Sequence, residues 1–279
     1  MDKWFKNRYS PHSILKTRIK KQLFKGNSTY QKIEVFDSYD FGRLLVLDDI
    51  VNVAEKDEFI YHEMMAHIPL FTHPNPEKVL VIGGGDGGLV REIAKHPQVN
   101  QIDLVEIDPA VINTSKRYLP KVAQGFKESR LHIFFEDGSH YVKNTSNVYD
   151  IIFIDSPDPV GAGKRLFQKT FYSNCFRALK DDGIVTAHSE TPTFKKEVRI
   201  MKSIYRKFNQ LFPLVQMFTA CVPSYSIGMW CFVFCSKKYD PLKDFQAAKY
   251  SRYDLKNRYY NAAIHHASFA LPNFLISSL

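Results

Sequence analysis

The chain has 279 residues, of which 44% are hydrophobic, enough for one large domain or a large domain with a small partner. No stretch approaches the roughly 18 uninterrupted apolar residues of a membrane span, and the N-terminus lacks the apolar core of a signal peptide. The formal net charge of +9 is spread over small basic groups, which favours a solvated basic surface over a nucleic-acid footprint. We therefore expect a cytoplasmic protein with no membrane or nucleic-acid partner, and buried, reduced thiols at its four cysteines.

The first part of the chain carries strand-like patterns. Two alternating apolar segments, residues 30–36 and 43–47, flank a turn that contains glycine, which predicts a β-hairpin. Two closely spaced prolines within residues 74–76 then interrupt the chain. We expect a small antiparallel β domain over residues 1–72, followed by a larger domain over residues 73–279.

After this break, short apolar runs alternate with helical segments. The runs are residues 79–82, 102–105, 131–135, 151–154 and 184–187. Strands that alternate with helices in this way predict a doubly wound, mostly parallel sheet. The expected fold class is therefore α/β, with a Rossmann-like domain of the class I methyltransferase type behind the small β domain.

Acidic residues follow four successive strands of this predicted sheet. They are Asp86, Glu106, Asp137 and Asp155. One acid at such a place is ordinary, as a helix cap or a turn residue. Four acids beyond the carboxyl ends of parallel strands would line one pocket, where like charges repel unless a cation joins them. We therefore predict a pocket for a cationic ligand.

The loop after the first of these strands is rich in glycine. Gly83, Gly85 and Gly88 fit the dinucleotide-binding fingerprint, and Glu106 lies about where a ribose-binding acid belongs. NAD brings a pyrophosphate, however, which Asp86 inside the loop would repel. S-adenosylmethionine and its decarboxylated form carry a sulfonium and no phosphate. The loop therefore favours a sulfonium nucleoside over NAD.

The segment after the fourth strand separates the two sulfonium nucleosides. A methyltransferase must hold the methionyl carboxylate, whereas this segment presents two carboxylates of its own, Asp155 and Asp158. An attacking alkylammonium has a pKa near ~10.4, so neutralising it near pH 7 costs about 4–5 kcal/mol. One carboxylate can accept that proton while the other anchors a second ammonium. These residues favour transfer from the decarboxylated nucleoside to a diamine.

Five motifs occur together in this chain. They are residues 55–64 (EKDEFIYHEM), 73–76 (HPNP), 83–88 (GGGDGG), 155–161 (DSPDPVG), and Tyr259-Tyr260-Asn261 with His265. Through them the chain resembles the spermidine synthase family over nearly all of its length. The resemblance implies transfer of an aminopropyl group from decarboxylated S-adenosylmethionine to putrescine, giving spermidine and methylthioadenosine. It also implies no metal or other cofactor and a homodimer or homotetramer.

The resemblance implies a role for each matching position. Asp155 matches the proton acceptor for the attacking amine, and Asp158 matches the carboxylate that holds the far end of the diamine. Tyr61 and Tyr225 match hydroxyls that line the diamine slot. The implied donor contacts are Gln31, His62 and Asp86, with Glu106 for the ribose and Asp137 and Gly138 for the adenine.

Several positions depart from the family pattern. Pro157 stands where serine or threonine is common, and Ala162 stands where a proline is usual. Lys164 and Arg165 replace a Glu-Ser pair, and we expect both to point to solvent. These departures leave the acceptor open among putrescine, cadaverine, agmatine and a longer triamine. Glu190, after the fifth strand, either borders the diamine slot or lies in a solvent-facing turn.

Two other functions remain open at this point. The first is an S-adenosylmethionine-dependent methyltransferase, although nothing in the chain resembles an Asn/Asp-Pro-Pro-aromatic motif for amine methylation. The second is a non-catalytic polyamine- or nucleoside-binding protein, although all the proposed catalytic carboxylates are present. Both alternatives differ from aminopropyl transfer in the ligand or product that they predict.

Overall fold

The computed structural model describes residues 3–156, 161–225 and 228–279, which contain two β-sheets. The first sheet is an antiparallel meander in which the strands pair in chain order. Its strands are β1 (Lys3–Ser10), β2 (Ser13–Asn27), β3 (Lys32–Ser38), β4 (Arg43–Leu47) and β5 (Ile50–Ala54). Strands β3 and β4 form the predicted hairpin, and Gly42 adopts a φ of 69° in its turn. The hairpin of β1 and β2 was not predicted, because most residues of β2 are polar and exposed.

The second sheet has seven strands in the order β11-β12-β10-β9-β6-β7-β8. Its strands are β6 (Lys78–Gly83), β7 (Gln101–Val105), β8 (Leu131–Phe134), β9 (Tyr149–Asp155), β10 (Leu179–His188), β11 (Leu214–Cys221) and β12 (Met229–Ser236). The five strands from β6 to β10 pair in parallel, whereas β11 and β12 are antiparallel. The predicted α/β fold, with a small antiparallel sheet before a mostly parallel one, is confirmed.

Helices cover both faces of the second sheet. They are α1 (Glu58–Thr72), α2 (Gly88–Ala94), α3 (Pro109–Tyr118), α4 (Gly138–Lys143), α5 (Lys169–Ala178), α6 (Lys195–Asn209), α7 (Ala247–Tyr253), α8 (Ala262–Ala267) and α9 (Asn273–Ile276), with the 3₁₀ helices η1 (Val122–Lys127) and η2 (Gly161–Phe167). Side chains of β6 alternate between the two faces: Val81 packs with Met64 of α1, and Leu80 packs with Tyr172 of α5. This alternation, with both faces covered, explains why the strand reads as a continuous apolar run.

Helix α1 differs from the expectation that the strand-like pattern reaches residue 72. The helix is buried along almost its whole length and belongs to the same core cluster as Val79 and Val81 of β6. A helix that is buried on every side lacks the one-sided periodicity that reveals a surface helix. It packs on the second sheet although it precedes the prolines on which the boundary prediction rests. Within the described residues, no helix is both long and apolar enough to cross a bilayer.

The site lies where the strand order of the second sheet reverses. From β6 the chain continues outward to β7 and β8, whereas β9 leads to β10 on the other side. The ends of β6 and β9 are adjacent, and Gly83 pairs with Asp155. Ligands of open α/β sheets bind beyond the carboxyl ends of the strands at such a switch point.

Three of the four cysteines are buried as expected, but Cys221 is exposed at the end of β11. All four are free thiols.

Candidate active site

A cavity of about 340 Å³ opens at the switch point, between the two sheets. Residues of the first sheet, such as Leu45 and Val53, line one wall, and the ends of β6, β7 and β9 line the other. The predicted site residues that line it are Gln31, Tyr61, His62, Gly83, Gly85, Asp86, Glu106, Asp137, Gly138, Asp155 and Tyr225. Gly88 begins α2 behind this surface and is not among the lining residues, and Asp158 lies outside the described residues.

Asp155 ends β9 and presents one engaged and one free carboxylate oxygen. The Tyr61 hydroxyl donates to Oδ1 at 2.6 Å, while Oδ2 has no hydrogen-bond partner within the part of the chain that the structure describes. Burial, together with the nearby negative charge of Asp86, raises the pKa of Asp155 to about 6. Asp155 is thus ionised at neutral pH and more basic than an ordinary aspartate.

Two tyrosine rings flank this carboxylate. The rings of Tyr61 and Tyr225 meet edge to face with centroids 5.9 Å apart, and the Tyr225 hydroxyl donates to the backbone carbonyl of Asn52. Burial and the charge of Asp155 raise the pKa of both phenols well above the usual value. Both hydroxyls therefore stay protonated and act as donors, beside an apolar wall that suits the methylenes of an alkylamine.

The glycine loop brings Asp86 to His62. His62 Nε2 lies 3.3 Å from Asp86 Oδ1, and the same oxygen accepts the backbone N–H of Gly88 at 2.7 Å. Burial opposes ionisation of Asp86, but the charge and hydrogen bond of His62 and the Gly88 N–H lower its pKa overall. Asp86 is therefore a fixed anion within reach of a cationic ligand.

Gly83 and Gly85 allow this loop to approach its neighbours closely. A Cβ on Gly83, whose φ is +85°, would lie 2.0 Å from the carbonyl oxygen of Asp155. A Cβ on Gly85 would lie 2.8 Å from Glu106 Oε2. A side chain at Gly83 would therefore disturb the junction between β6 and β9. A side chain at Gly85 would fill the space in front of Glu106, which follows β7.

Glu106 and Gln31 form the next part of the wall. Glu106 Oε1 accepts the backbone N–H of Asp108 at 2.8 Å, and burial raises the Glu106 pKa to about 7. Asp108 in turn caps α3 and accepts hydrogen bonds from Gln31 Nε2 at 2.9 Å and Ser28 at 2.6 Å. Asp108 therefore holds the first sheet against the second at this point.

Asp137 and Gly138 lie at the start of α4. Asp137 Oδ1 caps the helix by accepting the N–H and hydroxyl of Ser139, at 2.8 and 2.7 Å. Its Oδ2 accepts from Arg165 Nη1 at 3.2 Å. Lys164 and Arg165 are both exposed as expected, but Arg165, at 72% exposure, also reaches into the predicted adenine site.

Three further residues line the other end of the cavity: His188 and Trp230, to which the sequence analysis gives no role, and Glu190, which it leaves between the diamine slot and a solvent-facing turn. His188, at the end of β10, and Trp230 of β12 stack with ring planes 4° apart and centroids at 6.1 Å. Burial lowers the pKa of His188 to about 4, so the ring is neutral, and its Nε2 has no partner among the described residues. Glu190 is buried and lines the cavity, so the turn position in solvent is ruled out. His188 is the last residue of β10, and sequence spacing gives no signal for it.

Ligand atoms of His62, Asp86 and Asp155 lie within 4.8 Å of one another, close enough to raise the question of a metal ion. A ligating imidazole nitrogen must be unprotonated. His62 instead directs each ring nitrogen at a carboxylate, at 2.5 and 3.3 Å, so both act as donors. The donor set suits an organic cation better than a metal, and the absence of a cofactor remains a prediction.

Comparisons with known proteins identify the family. The model of the spermine/spermidine synthase domain matches residues 58–247, and the model of the spermidine synthase tetramerisation domain matches residues 3–55. The chain therefore belongs to the spermine/spermidine synthase family, as its motifs indicate. This assignment confirms the prediction that the protein is an enzyme of the aminopropyltransferase class.

Individual relatives agree over almost the whole chain. A polyamine aminopropyltransferase of Alkaliphilus oremlandii is 42% identical over 99% of this chain and 97% of its own length. One of Moorella thermoacetica is 44% identical over 98% of this chain and 94% of its own. A spermidine synthase solved in complex with the transition-state analogue AdoDATO superimposes with a TM-score of 0.96 at 40% identity, over 99% of this chain and 94% of that one. The spermidine synthase of Thermotoga maritima gives 0.95 at the same identity and coverage.

Proposed function

We propose that the protein transfers the aminopropyl group of decarboxylated S-adenosylmethionine to putrescine, giving spermidine and methylthioadenosine, with Asp155 as proton acceptor. The observation that carries the proposal is the partly free carboxylate of Asp155, which lies beside the glycine loop that would hold the donor. Asp158 would hold the far ammonium of the diamine, and no metal or other cofactor takes part.

The chemistry follows from the groups around Asp155. Its unpartnered Oδ2 would take a proton from the primary ammonium, and the freed lone pair would attack the methylene carbon next to sulfur. The C–S bond breaks with its electron pair going to sulfur, which leaves a neutral thioether, and the nitrogen becomes a secondary ammonium. No general acid is required, so alignment of nitrogen, carbon and sulfur supplies much of the rate.

The donor contacts would divide the nucleoside among the acids of the cavity. Glu106 would accept hydrogen bonds from the ribose hydroxyls, Asp137 and Gly138 would contact the adenine, and Gln31, His62 and Asp86 would contact the aminopropyl part. Support comes from the fact that all of these residues line the same cavity. Tyr61 and Tyr225 would line the slot for the acceptor.

The experiment that tests the proposal is release of methylthioadenosine from decarboxylated S-adenosylmethionine. Putrescine, cadaverine, agmatine and spermidine are offered separately to the purified protein. We expect release that depends on putrescine and equals the spermidine formed. Release with another amine alone would correct the acceptor. No release from folded, donor-binding protein with any of them would refute aminopropyl transfer to these amines and favour the non-catalytic alternative.

The family assignment favours this function over a methyltransferase. Calorimetry distinguishes the two, because a methyltransferase would prefer the carboxylated nucleoside over the decarboxylated one. A preference for the decarboxylated form is the expected result.

We also propose that the first sheet assembles the protein into a homotetramer. The match of residues 3–55 to a tetramerisation domain supports this, as do Trp4, Ile14 and Leu15, which are 39–49% exposed on the hairpin of β1 and β2. Size-exclusion chromatography with light scattering measures the molar mass in solution, and we expect that of a tetramer. The double variant Ile14→Ser, Leu15→Ser should dissociate this tetramer. A monomeric wild type would refute the assembly.

A further inference from the structure

His62 contacts a carboxylate with each of its ring nitrogens. Nδ1 lies 2.5 Å from Glu58 Oε2, one helical turn away, and Nε2 lies 3.3 Å from Asp86 Oδ1. A neutral imidazole has a single N–H, and an ionised carboxylate can only accept. Both contacts can be hydrogen bonds only if the ring carries two protons or if one of the two acids is protonated.

The surroundings of the two acids indicate that both are ionised. Arg91 donates to Glu58 from both terminal nitrogens, at 3.0 Å to Oε1 and 2.9 Å to Oε2, and a guanidinium does not deprotonate in proteins. Asp86 accepts the backbone N–H of Gly88 on the oxygen that faces His62. The second proton therefore belongs to His62, which is an imidazolium.

This imidazolium belongs to a series of buried and partly buried charges that alternate in sign. From Asp86 the series runs through His62, Glu58 and Arg91 to Glu92, whose Oε1 accepts from Arg91 Nε at 2.8 Å. The side chains of His62, Glu58 and Glu92 are 2–7% exposed. Removing one member of such a series leaves its neighbour buried without a partner of opposite charge, which is costly.

We propose that Glu58 and Arg91 are positioning residues of the active site, which hold His62 as a fixed cation against Asp86. Neither of them lines the cavity. They act through His62, which orients the carboxylate of Asp86 and keeps it anionic for a cationic donor. The inference rests on the proposed function only where it identifies the cationic ligand as the aminopropyl donor.

The charges that face His62 come from every neighbouring element. They are Glu58 of its own helix, Asp86 in the loop after β6, Asp155 of β9 and Arg91 of α2. Burial alone would lower the pKa of His62, but Asp86 and Glu58 together raise it to about 10. The ring thus stays charged across the neutral range, and it should titrate there once Glu58 is neutralised.

The experiment measures this titration in substrate-free protein. The protein is labelled with ¹⁵N-histidine and studied by nuclear magnetic resonance. The His62 signals are those that disappear in His62→Asn, and their pH dependence is followed between pH 6 and 10. We expect wild-type His62 to remain protonated at pH 8 and Glu58→Gln to lower its pKa by more than one unit. Glu34→Gln, which neutralises a buried glutamate of the first sheet, is the matched control and should leave the titration unchanged.

Measurements of donor KM then test whether the charge of His62 affects donor binding. The ratio of donor KM in Glu58→Gln to donor KM in wild type should increase about tenfold from pH 7 to pH 9, as His62 loses its charge beside Asp86. Arg91→Lys keeps a cation but loses the bidentate contact with Glu58. We therefore expect a smaller, severalfold rise in donor KM with unchanged kcat. Thermal melting shows whether each variant is folded.

Two results would overturn the inference. The first is a wild-type His62 that is neutral at pH 8, and the second is an identical titration in wild type and in folded Glu58→Gln. If that variant does not fold, Arg91→Lys decides: an unchanged donor KM in the folded protein would overturn the inference. The nuclear magnetic resonance titration needs no turnover, so a failure of aminopropyl transfer would leave it interpretable.

Discussion

The two ends of the cavity hold their polar groups in different ways. At the end proposed to hold the donor (the donor end), Asp86, Glu106 and Asp137 each accept a backbone N–H within two residues of their own position. At the end proposed to hold the acceptor (the acceptor end), Tyr61 is held by Asp155 and Trp230 by packing on His188, although Tyr225 donates to the backbone carbonyl of Asn52. The donor end is therefore fixed by the fold, whereas the acceptor end can change with a single substitution.

The largest effect is expected where the two ends meet. Asp155→Asn removes the proton acceptor, so kcat should fall by about 10³-fold or more, with donor binding retained. Because burial raises the pKa of Asp155, ionisation of this group costs stability at neutral pH, and the variant should melt at a higher temperature. Stopped assays and calorimetry measure both. Full turnover in the folded variant would exclude Asp155 as the base.

Glu106→Gln tests the donor end. At a pH above the Glu106 pKa of about 7, loss of this charged acceptor for the ribose hydroxyls should weaken donor binding by about 10- to 100-fold, since hydrogen bonds to charged groups contribute about 1.5–3 kcal/mol. The acceptor KM should not change, because Glu106 lies at the opposite end. Calorimetric titration with the donor provides the measurement, and equal losses for donor and acceptor would contradict the separation of the two ends.

The pH dependence should report the base. With the Asp155 pKa raised to about 6, kcat/KM for the acceptor should fall as the pH drops through that value, and by about tenfold at one unit below it. The sign follows because only the ionised carboxylate accepts a proton. If kcat/KM instead fell only near pH 4, the base would be an ordinary, solvated carboxylate, and the prediction would be contradicted. Profiles for decarboxylated S-adenosylmethionine binding at the same pH values serve as the control.

His188→Gln tests the acceptor end. The neutral ring lies against Trp230 with one nitrogen unpartnered, so replacing it should change the acceptor KM severalfold and alter the preference among amines. Donor affinity should stay within twofold. Competition assays with paired amines measure the preference, and an unchanged ranking would remove His188 from the acceptor site.

The smallest effect is expected at Arg165. Its exposed contact occupies Oδ2 of Asp137, a proposed contact of the adenine, and exposed pairs contribute at most about 1 kcal/mol. Arg165→Ser should therefore lower donor KM no more than about fivefold, and the gain should shrink at high salt. Lys164→Ser, whose side chain is also exposed, is the matched control. A rise in donor KM would mean that Arg165 aids the nucleoside instead.

Sequence patterns predicted the second sheet and placed acids at its strand ends, which line the cavity, because parallel strands leave continuous apolar runs that end there. Strand β9 and Asp155 show this clearly: the run stops at the acid that the structure places beside Gly83. Helix α1 and the hairpin of β1 and β2 were missed, since the helix is buried on every side and the hairpin is largely polar. His188 was missed because its role depends on a stacking partner from a distant strand, β12.

Helix α1 connects the two ends of the cavity through consecutive residues. Tyr61 contacts the proposed base, and the next residue, His62, contacts Asp86 of the donor wall. Any displacement of this helical turn would move both contacts together, so we expect binding of the proposed donor and binding of the amine to be energetically linked. Such linkage is reciprocal: whatever factor the donor contributes to amine affinity, the amine returns to the donor.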